Sequence, residues 1–319
     1  MTHAAEIVNR EEGGLNLHGG KLKVAVLGAT GMVGQQLIEL LAAHPWFQVV
    51  ALAASTSSAG KLYEEAVQDR WGMEQRPPAY IAALKVRDVQ DVEGIGSLVD
   101  VVFCAINLEK EGVLKLEHAY AKKGVWVTSN NSAYRPDPFV PMVAISGAGK
   151  TFASFPEIER NLIPSINGEE QKSEVEPLKI WGQAGPDGLC RPPVRKIEAK
   201  CVRVGVLHGH TAYVRVQFKS PPTESQILQR WENYAPPPLP SSPRKLIHYL
   251  SDPERPQPRL DAMTENGMAV SIGQLKVHRD QQVSFTGLSH NLILGAAGGA
   301  VLATEAAITR GLVYRRIKP

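Results

Sequence analysis

No window of this 319-residue chain approaches the roughly 18 uncharged apolar residues of a membrane-spanning helix, so no membrane contact is expected. Like charges never run to five or six in a row. The 35 basic and 32 acidic residues leave a net charge of only +3, which offers no footprint for a nucleic-acid partner and at most eases the approach of small anions. Cysteine is scarce as well. Cys104, Cys190 and Cys201 are odd in number and widely spaced, which excludes a disulfide framework and a paired-cysteine metal site and fits a reducing, cytoplasmic location. Internal repeats are absent. Residues 1–20 are polar and glycine-rich without an apolar stretch, and they read as a flexible N-terminal extension rather than a signal peptide.

What is present begins at Lys23. KVAVLG is a short β-branched strand, GATGMVG a turn, and QQLIELLAAHP has helical spacing that ends at a proline. VVALAAS, LVDVVFCAI and VWVTSN supply further strands, with LEKEGVLKLEHAYAKKG a helix before the last of them. Apolar strands alternating with helices imply a parallel sheet covered on both faces, an α/β doubly wound architecture of the Rossmann type. After residue 143 the texture changes. IEAKCVRVGVLHGHTAYVRVQF and MAVSIGQLKV alternate with a two-residue period, which predicts a second α+β domain with a largely antiparallel sheet and one solvated or partner-covered face. LSHNLILGAAGGAVLATEAAITRGL reads as a glycine turn opening a long apolar helix that returns to the first domain. The expected division is therefore 21–142 with 288–319 as a nucleotide-binding domain and 143–287 as a substrate and dimerisation domain.

Gly28-Ala-Thr-Gly31-Met-Val-Gly34 lies between a strand and a helix, where glycines let the backbone approach a pyrophosphate and the helix N-terminus offers unpaired N–H groups. At the end of the second strand an NAD site would place an acid for the ribose hydroxyl. This chain has Ser55, Ser57, Ser58 and Lys61 there, hydroxyls and a cation that suit a 2′-phosphate and favour NADP. In CVRVGVLHGH, strict alternation would send Arg203 and His210 to opposite faces unless Gly205 or Gly209 introduces a bulge. By their chemistry alone, His210 reads as a surface or packed histidine as readily as a base, and Arg203 as an ion-pair partner. Glu169 and Lys172, after a Pro-Ser-Ile-Asn-Gly turn, read as a helix start, and Cys104 as a small core residue.

The series GATGMVGQQLIELLAAHPWF, SNNSAYR, SGAG, NGEEQK, CVRVGVLHGHT, RPQPRLD and LSHNLILGAAGG resembles the aspartate-semialdehyde dehydrogenases, in particular their fungal and archaeal-type branch, from about residue 22 onward. The resemblance implies reductive dephosphorylation of an aspartyl phosphate with NADPH through a cysteine thioester, in homodimers or homotetramers acting on a small-molecule substrate. It makes Gly28, Thr30, Gly31 and Gly34 the cofactor loop, brings Ser55 and Ser58 to the adenosine phosphate, and sets Asn291 near the nicotinamide. It further implies that Arg135 and Lys172 bind phosphate, Glu169 the substrate amine and Arg203 its carboxylate, and that His210 is the acid–base residue. The family also carries several dozen residues, among them an Asn-Pro-Asn-Cys turn with the nucleophile, where this chain passes directly from Val-Pro-Met-Val to Ser-Gly-Ala-Gly. No cysteine here stands in an Asn-Cys-Ser/Thr context. Three expectations follow: a diverged secondary-metabolism enzyme using the Arg/His pocket for non-covalent cyclisation or isomerisation, a dehydrogenase whose sequence has lost an exon, or a non-catalytic NADP- or partner-binding subunit.

Overall fold

The computed structural model describes residues 8–11, 14–17, 20–137, 140, 142, 158, 161–185, 188–190, 196–313 and 315. A hairpin, β1 (Val8–Glu11) and β2 (Gly14–Leu17), lies within the segment expected to be a loose extension. Next come β3 (Leu22–Leu27), α1 (Met32–Ala42), β4 (Phe47–Ala54), α2 (Tyr63–Val67), α3 (Ala79–Ala82), β5 (Arg87–Asp88) and α4 (Val92–Leu98). Then follow β6 (Val101–Cys104), α5 (Lys110–Lys122), β7 (Trp126–Ser129), β8 (Leu162–Ile163), α6 (Glu169–Ile180), β9 (Gln183–Gly185), β10 (Gly188–Cys190) and β11 (Arg203–Val204). The remainder is β12 (His210–Gln217), α7 (Glu224–Glu232), β13 (Ile247–Leu250), α8 (Pro258–Asp261), β14 (Val270–Val277), β15 (Gln282–Ser289), a π-helical turn at Ile293–Ala297 and α9 (Gly298–Thr309). The long terminal helix thus begins later than its glycine-rich sequence suggests.

Two units result, Met1–Pro136 with Pro238–Ser241 and Ala297–Pro319, and Asp137–Pro237 with Ser242–Ala296. In the first, five parallel strands take the order β5-β4-β3-β6-β7. Alternate strand residues build a core on each face. Val24, Val26, Val101 and Phe103 meet Leu37, Ile38 and Leu41 of α1 and Val301 and Ile308 of α9, while Ala25, Leu27, Val102 and Cys104 meet Ile95 of α4 and Val113, Leu116 and Tyr120 of α5. This doubly wound arrangement is the one the near-continuous apolar strands imply. The proline-rich connection contributes Pro238–Ser241 to this unit because Glu305 of α9, fully buried, accepts from the Ser241 amide at 3.1 Å, from its Oγ at 2.8 Å and from His44 Nε2 at 2.6 Å.

The second unit holds a mixed four-stranded sheet of order β12-β15-β14-β13, antiparallel except for β13 against β14. α7 packs its Trp231 edge-on to Phe285 of β15 at 5.4 Å. The alternation read across residues 197–218 is not one strand. β11 pairs with β8, β12 pairs with β15, and residues 205–209 turn between the two sheets. Two glycines in five residues make that turn sterically cheap, so the period continues in sequence while the backbone changes partner.

Candidate functional site

In the first unit the Gly28–Gly34 turn joins β3 to α1. Gly28 and Ala29 donate their amides to Ala53 O of β4, Tyr63 Oη donates to Ala29 O at 2.8 Å, and Gln35 Nε2 donates to Thr30 O at 3.0 Å. Gln35 also ties the turn to residues 70–72, donating to Arg70 O and accepting from the Gly72 amide. Sequence inspection did not flag Tyr63 or Gln35, although a buried glutamine one residue after a glycine turn has few other uses. Gly34 is fixed by contact, since a Cβ there would sit 2.2 Å from Gly28 O. Gly31, the exposed N-cap of α1, has no side-chain cap, and a Cβ there would meet only Gly28 O at 3.4 Å, so the first-turn N–H groups of the helix remain available. Ser55, Ser57 and Lys61 are exposed just beyond β4, with the two serine hydroxyls 3.0 Å apart, whereas Ser58 is buried in the same turn. The exposed hydroxyls and the Lys61 cation fit a dinucleotide carrying an extra phosphate, with Asp88 of β5 paired beside Ala54 at the end of β4. Arg135 follows β7 in this unit and donates from its guanidinium to Asn130 O at 3.2 Å.

The second unit gathers Glu169, Lys172, Arg203 and His210. Glu169 opens α6 after Gly168 and forms an ion pair with Lys172 at 2.6 Å. Glu170 accepts from the Cys201 amide at 3.2 Å and Glu174 from the Ala199 amide at 3.0 Å, so the charged face of α6 holds the irregular segment that leads into Arg203. His210 begins β12. Its imidazole keeps an accessible edge, yet the surrounding protein pushes its pKa below the ordinary histidine value; Glu169 opposes that shift and Arg203 adds to it. A neutral accessible imidazole between a carboxylate and a guanidinium can accept a proton from a ligand whose anionic group the guanidinium holds. Asn291 uses its Oδ1 to accept the Gly209 amide at 2.8 Å. His290, which sequence reading passed over, is buried and stacks on His208 with ring centroids 4.7 Å apart.

The cysteines look elsewhere. Cys104 is fully buried, and burial together with the nearby Glu117 carboxylate pushes its thiol well above the ordinary range. Cys201 is partly exposed, with Ser173 Oγ 3.7 Å from its sulfur. Residues 143–157, which carry the abrupt junction, lie outside the described residues. Among the described residues no group of three His, Cys, Asp or Glu is arranged to hold a metal, and no helix is long and apolar enough to cross a membrane.

Comparison with known proteins extends this picture. Residues 23–166 match a family model described as semialdehyde dehydrogenase, NAD binding domain, and residues 139–294 match one described as semialdehyde dehydrogenase, dimerisation domain. The aspartate-semialdehyde dehydrogenase of Trichophyton rubrum is 33% identical, covering 92% of this chain and 99% of its own, and that of Archaeoglobus fulgidus is 32% identical, covering 92% and 100%. The crystal structure of aspartate semialdehyde dehydrogenase with NADP from Candida albicans superposes with a TM-score of 0.80 at 28% identity, over 92% of this chain and 100% of that one. The Trichophyton alignment spans 363 positions but takes in 92% of the 319 residues here, about 293, so about 363 − 293 = 70 of its positions have no counterpart in this chain.

Proposed function

Because the chain belongs to the aspartate-semialdehyde dehydrogenase family, we propose that it is a diverged, secondary-metabolism member that binds NADP(H) and performs non-covalent acid–base chemistry, an isomerisation or cyclisation of a small amino-acid-like substrate, in the cytoplasm. The observation that carries the reading is the grouping of Glu169, Arg203 and an accessible, proton-accepting His210 in the second unit, in a chain whose cysteines follow Phe103, Leu189 and Lys200 and never an asparagine. Thioester formation needs a positioned thiolate beside a base. Cys104 is too deeply buried for that role.

In this mechanism Arg203 holds the substrate carboxylate and Glu169 its ammonium group. His210 removes a proton from a carbon acidified by a neighbouring carbonyl, becomes imidazolium, and returns the proton at a second position, so the step is balanced without an external reagent. Such a base contributes about 10²–10⁴-fold. Gly28, Thr30, Gly31 and Gly34 would hold the dinucleotide pyrophosphate, the exposed Ser55, Ser57 and Lys61 its 2′-phosphate, and Lys172 a substrate phosphate. When bound, the cofactor supplies hydride-transfer chemistry. The exposed Leu207 and Tyr213, together with the match to a dimerisation domain, support a homodimer or homotetramer built through the second unit.

The test is proton exchange in D₂O with aspartate semialdehyde as the probe, followed by proton NMR. Exchange at the carbon beside the aldehyde should be catalysed, fall by about 10² in His210→Ala, and persist at raised KM in Arg203→Ala. Conventional turnover with aspartate semialdehyde, phosphate and NADP should be undetectable. Robust NADPH formation lost on replacing Cys104, Cys190 or Cys201 would overturn the reading. A second reading, a dehydrogenase whose sequence lost an exon, is favoured by the overlap of the two family matches at residues 139–166 together with the relatives' positions that have no counterpart in this chain. Sequencing the transcript against the gene separates the two.

A further inference from the structure

The chain enters β12 through a left-handed glycine. Gly209 has φ +103, and a Cβ there would lie 2.9 Å from Leu288 Cδ1, so only glycine fits. The Gly209 amide is bonded to a side chain, Asn291 Oδ1, at 2.8 Å. One residue earlier His208, itself exposed, stacks on His290 with planes 26° apart. His290 is 2% exposed, and its Nδ1 accepts the amides of both Leu292 and Ile293 at 3.1 Å. Two donors on Nδ1 leave the proton of the neutral ring on Nε2, so the ring is fixed in orientation and tautomer. The dipeptide His290-Asn291 thus grips residues 208 and 209 from one side while His210 pairs with Ser289 in the sheet.

We propose that His290 and Asn291 are positioning residues for His210: the imidazole stack and the amide bond fix the turn at residues 208–209 and with it the direction in which the His210 ring projects. Ladder pairing alone sets the backbone of His210 but not the approach of the preceding chain, which the left-handed Gly209 leaves free to take more than one course. The inference rests on the reading of His210 as the acid–base group. His210 has Glu169 and Arg203 as its charged neighbours from α6 and β11, and the His208–His290 stack lies against the turn that precedes it.

The experiment is imidazole NMR and amide hydrogen exchange on the full, ligand-free chain. In Asn291→Ala the Gly209 amide should exchange about tenfold faster, the scale of one lost hydrogen bond. The single sharp His210 ring signal should broaden or split, with its titration midpoint moving up toward the ordinary histidine value. Asn291→Asp, which keeps the acceptor, should restore slow exchange and a single ring signal. His208→Ala removes an exposed ring and so leaves the core filled; it should broaden the His290 and His210 signals even if the Asn291 variant fails to fold. Unchanged His210 line shape and midpoint in the folded variants overturns the positioning role. Full proton-exchange activity in His210→Ala instead overturns the acid–base reading and leaves the NMR result standing, so the two failures are distinct.

Discussion

In the first unit five of the six residues of β3 and all four of β6 are buried, whereas in the second six of the eight residues of β12 are exposed and α7 buries none of its residues. The first unit is held by apolar layers on both faces of a parallel sheet, and its polar groups serve to lock a turn. The second relies on backbone pairing and polar clamps, such as Glu170 and Glu174 on residues 199–201 and Asp261 on Arg255 and Gln257. A unit with half-covered strands has surface to give to a ligand or a second copy, and less stability of its own to lose.

The largest expected effect sharpens this contrast directly. Leu37→Ala, in the fully buried face of α1, should destabilise the first unit by about 2–5 kcal/mol through lost transfer energy and a residual cavity. Tyr213→Ser, at a side chain 70% exposed, should change the stability of an isolated chain by no more than about 0.5 kcal/mol. Urea unfolding measures both. If Tyr213 costs as much as Leu37 and sedimentation shows a change of mass, the second unit owes its stability to a partner copy, and the comparison must be made between the monomer of one unit and the dimer of the other.

Acid provides the next test. Burial, with smaller contributions from His208 and His210, pushes the His290 pKa from 6.5 down to about 4. Between those values the unfolded chain binds a proton that the native ring refuses, so stability falls as pH drops from about 6.5 toward 4, by up to about 3 kcal/mol. Unfolding of the second unit should therefore move to lower urea between pH 7 and pH 5, and His290→Asn should flatten the slope. A second unit whose midpoint stays constant over that range breaks the assignment of a buried neutral ring at 290.

Much of this was legible in the sequence, for physical reasons. Strands such as Val24–Leu27 and Val101–Cys104 are apolar at every position because both faces are covered, and Gly34 announces a backbone approach that no other residue permits. The pairing of residues 203–217 was not legible, because a two-residue period survives when a chain turns from one sheet into another. Nor were the clamps. Gln35, Ser241 and His290 carry no periodicity that announces a clamp, and their meaning arises only when Arg70, Glu305 and His208, far away in sequence, are folded against them. The first unit was read from local rules, and the second mainly through resemblance, since its polar networks are long-range.

The smallest expected effect bears on the site itself. Glu169 and Lys172 lie one helical turn apart on α6 with side chains 31% and 36% exposed, and their ion pair at 2.6 Å is of the kind worth about 0.2–0.5 kcal/mol. Lys172→Met should therefore shift unfolding by at most that amount, well below anything expected in the first unit. Its consequence for binding has a definite sign. In the native chain an incoming ammonium group must displace the Lys172 cation from Glu169, so removing Lys172 should tighten a phosphate-free α-amino acid such as L-2-aminobutyrate by about twofold, the same free energy read as affinity. The affinity for inorganic phosphate should fall in the same variant. Calorimetry with the two probes separates a site residue from a surface charge: if Lys172→Met weakens both probes or leaves both unchanged, the pair is only a helix-stabilising contact, and the polar economy of the second unit is structural there and not functional.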